Sequence, residues 1–190
     1  MWALVEDNSI VKIINTPQSI VIGDTRHSRK IFELWSEEEL NNVGLYSIVF
    51  DNSNKQDAVY YDNTNQSFDF SDGVATASYG SPTAKELDDV TDEDDNVTLG
   101  LKSQKKVNIK QQARGLLTPT DWYVIKATDV ESYSVPSAVT TFRANVRTAS
   151  NDMETLIDAC STVDELAALY VYNDDTPPIR PLGEFPTLEI

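Results

Sequence analysis

Between Gly80 and Asn96 the chain crowds Glu86, Asp88, Asp89, Asp92, Glu93, Asp94 and Asp95 into one segment whose only cation is Lys85. On its two sides the apolar residues follow different periods. Before it they come in short β-branched and aromatic runs; after it they recur every three and four residues. A chain whose period changes across a charged divide folds as two parts, a sheet and a set of helices, and like charges this dense predict a solvated linker between them. The expected fold is therefore α+β. A β-rich antiparallel hairpin domain over residues 1–80 precedes an acidic linker at 81–98, a small helical hairpin at 99–172 and an extended Pro-rich arm at 173–190.

In the first part, Trp2-Ala-Leu-Val and Ile10-Val-Lys-Ile-Ile are strands around a Glu-Asp-Asn-Ser turn. Further strands are expected at residues 19–22 and 30–35. Ser36 and Glu39 then form a capping box on a short helix stopped by Gly44. Tyr46 to Phe50 returns to extended structure. From Ala58 to Tyr79, runs broken by Asp62-Asn-Thr-Asn and Ser71-Asp-Gly predict a meander of hairpins, half-exposed because Phe68-Asp69-Phe70 alternates.

In the second part, Lys102, Lys106, Lys110 and Arg114 recur every four residues along one helix face, opposite Leu101, Ile109, Ala113, Leu116 and Leu117. Pro119 ends this helix. Trp122 and Tyr123 follow in an aromatic run expected to pack between helices. Pro136 opens a second helix, whose Val139, Phe142, Val146, Ala149, Met153, Leu156 and Cys160 alternate by three and four. That seam serves either packing within the chain, against the preceding helix, or self-association. Ser161-Thr-Val-Asp-Glu starts a third, short helix.

The chemistry-bearing residues are few. Asp92, Asp94, Asn96 and Thr98 imitate the start of a calcium loop, but Val97 replaces the required glycine and Ser103 the bidentate Glu. The alternative for this acidic run is that it folds onto the basic face of the next helix. His27 is the only histidine, Cys160 the only cysteine, and no nucleophile elbow or phosphate-cradling loop occurs. No catalytic residue, metal or cofactor is expected, and no enzymatic activity. A net charge of -16 argues against nucleic acid or anionic lipid as partner. No apolar run reaches the roughly 20 residues of a membrane span, and the opening lacks signal-peptide character, so cytoplasmic synthesis is expected. The arm carries Ile179, Arg180, Leu182, Phe185, Leu188 and Ile190 among prolines, an arrangement expected to dock on another subunit.

Leu116-Leu-Thr-Pro-Thr-Asp-Trp-Tyr-Val-Ile, followed by Val135-Pro136, Phe142-Arg143 and Val146-Arg147, resembles the short C-terminal module of tailed-bacteriophage tail assembly chaperone and tail fibre assembly proteins. Trp2-Ala-Leu-Val-Glu-Asp-Asn, Ile31-Phe-Glu-Leu-Trp-Ser-Glu-Glu-Glu-Leu and Arg180-Pro-Leu-Gly-Glu-Phe-Pro look like structural proteins of marine cyanophages. The resemblance implies a virion protein of the tail, in the baseplate or at a fibre attachment point, with other tail proteins as partners and possible self-association. Its alternative is an assembly chaperone that leaves before the particle is complete.

Overall fold

A computed structural model describes residues 1–189, which form two compact units, Met1–Thr83 and Ala84 onward. In the first, β1 (Trp2–Glu6) and β2 (Ser9–Ile14) make an antiparallel hairpin. Asp7 and Asn8 both take positive φ, 49° and 62°, the left-handed pair whose twist matches that of the strands. A smaller hairpin of β3 (Ile20–Ile22) and β4 (Thr25–His27) turns at Gly23. It places His27 at a strand end, edge-on to Trp35 at 5.4 Å.

Residues 30–35, expected as a strand, instead contain the helical turn α1 (Ile31–Leu34). A strand would send Ile31 and Phe32 to opposite faces, whereas the turn brings Ile31, Phe32 and Trp35 onto one core. Helix α2 (Glu37–Asn41) follows with both bonds of the Ser36–Glu39 capping box formed. Gly44, at φ 82°, ends the turn beside the Val5 carbonyl, where a Cβ would not fit.

Strand β5 (Leu45–Asp51) lies at the centre of a five-stranded sheet. After the two-residue β6 (Tyr61–Asp62) come β7 (Gln66–Ser71) and β8 (Val74–Tyr79), joined over Asp72-Gly73, and the sheet order is β2-β1-β5-β8-β7. Strands β5 and β8 pair in parallel, so the sheet is mixed and not the antiparallel meander expected. Residues 52–65 stay at the end of the sheet where β5 finishes, β7 carries the chain back, and β8, antiparallel to β7, therefore re-enters in the direction of β5. Leu4, Ile14 and Leu45 on one face pack with Ile20, Ile31 and Leu40. The other face is lined by Ala3, Ala75 and Ala77 with Ile48, and its small side chains let the sheet curl until β2 approaches β7.

The second unit starts at the boundary strand β9 (Thr83–Ala84). The segment 81–98, expected as a solvated linker, holds the antiparallel hairpin of β10 (Val90–Thr91) and β11 (Val97–Thr98) and is part of the fold. Helix α3 (Leu101–Leu117) passes through one 3-10 turn at Thr118–Thr120 into α4 (Asp121–Asp129). Helix α3 thus ends at Leu117, as Pro119 predicts, and Pro119 sits in the first turn of the 3-10 segment, where its missing amide costs nothing. Helix α5 (Ser137–Ala159) is preceded by Pro136, and α6 (Val163–Ala168) by a second capping box, Thr162 with Glu165.

Candidate functional site

The helical unit is built on ionic contacts that the cation spacing of α3 prepares. Its first amides are met by the acidic segment: Leu101 and Lys102 donate to the carbonyls of Glu86 and Leu87, and Gly100 donates to the Asp89 carboxylate at 2.8 Å. Ser103 donates to the same carboxylate, and Lys102 pairs with Asp88 at 3.0 Å. The Gly100 amide first, then Ser103, with Lys106 adding, hold the Asp89 carboxyl below its usual range. The acidic run therefore folds onto the start of the basic helix, the alternative the charges allowed.

The calcium-like spacing resolves into a turn. Asp92 accepts the amides of Asp94 and Asn96 and the Asn96 side chain, so its carboxylate is occupied within the loop. Among the described residues, no group of three His, Cys, Asp or Glu side chains could hold a metal ion. Left at the hairpin tip, exposed and with no side-chain ion pair among the described residues, are Glu93, Asp94 and Asp95.

Further along, Lys106 meets Asp158 at 2.7 Å and Lys110 meets Glu154 at 3.1 Å, a ladder between α3 and the antiparallel α5. Acids four residues apart on α5 mirror the four-residue spacing of the cations, a complementarity legible only once the two helices are known to face each other. The seam of α5 buries Val139, Phe142, Val146, Met153 and Cys160 as expected, but Ser150 and Ile157 replace Ala149 and Leu156. A straight α-helix repeats at about 3.6 residues and drifts from a strict heptad. The seam is used within the chain.

Arg143 organises the turn between α3 and α4. Its guanidinium pairs with Asp121 at 2.8 Å, donates to the Leu117 carbonyl at 3.0 Å and also donates to the Thr120 hydroxyl. Thr120 is buried and bonds back to Leu117. Trp122, expected in the core, is half-exposed and lies on Tyr123 with ring centroids 3.9 Å apart; α4 buries none of its residues. The turn is held by an arginine where an aromatic anchor was expected.

Around Arg143 opens a cleft of about 630 Å³ lined by Lys110, Arg114, Arg143 and Arg147, with Asp121 and Glu154 as its acids. Arg143 and Lys110 are paired with those acids. Among the described residues, Arg147 donates only to the Arg143 carbonyl, and the exposed Arg114 meets no carboxylate. Two unneutralised guanidinium groups on facing helices form a local positive site on an acidic chain, suited to carboxylate or phosphate oxygens. Arg143 and Arg147 fall outside the α5 seam, and nothing in the sequence spacing links them to Arg114.

The C-terminal segment folds back on its own unit. Leu182 is buried and its amide donates to Leu169, while Phe185 and Leu188 pack with Leu116 and Leu117 on Ala113, Phe142 and Val146. Arg180 pairs with Glu184 at 2.8 Å and lies over the rings of Tyr170 and Tyr172. Ile179 is exposed, and Ile190 lies outside the described residues. Of the residues expected to dock on a partner, Leu182, Phe185 and Leu188 thus serve the chain's own core; their three-residue spacing suits an extended proline-rich strap lying along a helix pair. Cys160 is buried at the end of α5, its thiol donating to the Leu156 carbonyl and pushed up by burial, with Glu165 adding and Lys102 opposing.

No helix among the described residues is long and apolar enough to cross a membrane. No family model, curated protein or solved structure matches this chain.

Proposed function

We propose that the chain is a non-enzymatic structural component of a phage tail, in the baseplate or at a fibre attachment point, which acts by docking on other tail proteins. One observation supports this reading. The residues that carry the resemblance to phage tail modules, far apart in sequence, meet in space: Arg143 of the Phe-Arg pair holds Leu117, Thr120 and Asp121 of the Leu-Leu-x-x-x-Asp-Trp turn. The motif thus behaves as one folded unit with its own fastening, as expected of a module carried between proteins. Residence is in the virion tail, after assembly in the host cytoplasm. The test is mass spectrometry of purified, DNA-filled particles: the chain is expected in fixed stoichiometry, and its absence overturns the reading.

A second reading, an assembly chaperone that leaves before completion, is favoured by α4. This helix turns Trp122, Val124 and Ile125 to solvent and buries no residue of its own. Such a surface fits an apolar segment of an unassembled tail or fibre protein. Co-purification with that partner, without retention in particles, distinguishes it.

A further inference from the structure

We propose that the helical unit associates head to tail with a second copy of this chain, the acidic tip Glu93-Asp94-Asp95 of one copy entering the cleft between Arg114 and Arg147 of the next. The inference does not depend on the tail-protein reading. Both surfaces belong to one unit and lie at opposite ends of one helix. The hairpin is fastened to the first turn of α3 through Glu86, Leu87 and Asp89, whereas the cleft opens at its last turns. Leu101 and Arg114 are separated by about 20 Å along the helix, at about 1.5 Å per residue. The tip carries three carboxylates with no side-chain ion pair among the described residues, while Asp88, Asp89 and Asp92 of the same segment are engaged by Lys102, Gly100 and Asn96. The cleft carries two guanidinium groups that pair with no carboxylate among the described residues, while Arg143 and Lys110 beside them are neutralised by Asp121 and Glu154.

Each surface thus lacks the charge the other holds. A guanidinium takes a carboxylate through two parallel hydrogen bonds, and Arg114 and Arg147 on facing helices can receive two neighbouring acids of the tip. A nucleic acid would offer phosphates to the same cleft but brings a continuous anionic backbone, whereas the tip presents three carboxylates locally; the net charge of -16 on each copy opposes both, and the local pairs must outweigh it. Because the two patches differ and point from opposite ends of one helix, the contact is heterologous and propagates into a ring or a filament. Exposed pairs are individually weak and screened by salt, so the association depends on concentration and ionic strength.

Sedimentation velocity of the full chain over a concentration series, at low and high salt, tests this. At low salt the average mass is expected to rise with concentration, and at high salt to fall to that of the monomer. R114E/R147E and E93K/D94K/D95K should each remain monomeric at low salt, and mixing the two should restore association, since the reversed charges again complement. Circular dichroism checks that both keep their helices; should either unfold, the neutral pair R114Q/R147Q and E93Q/D94N/D95N replaces them and must abolish association. A wild-type chain that stays monomeric at low salt overturns the proposal, whether or not inorganic phosphate binds its cleft by calorimetry. Association unaffected by the substitutions, or not restored by mixing, overturns it equally.

Discussion

Arg143 on α5 and Asp121 at the head of α4 meet at 2.8 Å, and through this contact the helix after the turn fastens the turn itself. The Arg143 side chain is only 13% exposed, and its removal takes a charge-assisted donor from the Thr120 hydroxyl, from the Leu117 carbonyl, which keeps the Thr120 bond, and from the half-exposed Asp121 carboxylate. Arg143→Ala is expected to destabilise the helical unit by about 2–3 kcal/mol, the range for losing charge-assisted bonds at a half-buried site. Arg143→Lys should recover only part of this, because an ammonium cannot reach three acceptors spread over a turn. Urea unfolding followed by the helical dichroism signal provides the comparison; equal midpoints for wild type and Arg143→Ala contradict it.

The Asp89 carboxyl titrates below its unfolded value of about 3.9 because its ionised form accepts the Gly100 amide and the Ser103 hydroxyl. With the folded pKa lower, the unfolded chain binds more protons in acid. The stabilisation is complete well above pH 4 and is lost as the pH falls through the folded pKa. Asp89→Asn should lower stability at neutral pH while flattening the acid limb of the stability profile below about pH 5. An acid limb as steep as that of wild type would exclude Asp89 as its source.

Gly100 caps α3 with no side chain, and a Cβ there would strike the backbone of Asp88. Since the obstacle is main chain, it cannot swing away. Gly100→Ala is therefore expected to cost about 1–3 kcal/mol, although glycine-to-alanine changes at unhindered sites are mildly stabilising. Thermal melting gives the sign directly.

Leu182→Ala is expected to cost about 2–4 kcal/mol and to expose the C-terminal segment to protease, because Leu182 is buried and its amide is fixed to Leu169. Removal of residues 177–190 should likewise loosen the helical unit, in contrast to an arm that serves only to dock on another subunit. Limited proteolysis that trims the segment while leaving the melting temperature unchanged would refute this.

The seam of α5 shows what the sequence could and could not reveal. Val139, Phe142 and Val146 are common to a heptad and an α-helical repeat, and both readings place them inside. Near the C-terminal end the two diverge by one residue: Ile157 is fully buried and Leu156 is 39% exposed. Ile157→Ala should cost about 3 kcal/mol and Leu156→Ala under about 1 kcal/mol, by equilibrium unfolding.

Capping boxes at Ser36 and Thr162 were readable for Ser36 and consistent with the start expected near Thr162, since the residues that make them lie within one turn. The parallel pairing of β5 with β8 was not, because nothing local to either strand sets the direction of a distant neighbour. The cleft fell between these cases. Arg114, Arg143 and Arg147 were visible singly, yet their convergence depends on how α3 and α5 face one another.

Cys160 gives the helical unit a chemical clock. It is the chain's single thiol, it sits at the end of the α5 seam, and both burial and Glu165 disfavour the thiolate that alkylating reagents require. Its labelling must therefore wait for that end of the unit to open, so the rate of modification under native conditions measures opening of the helices apart from any event in the sheet. Release of the strap at Leu182, or loss of the Arg143 fastening, should each shorten that waiting time by an amount that locates it relative to the thiol.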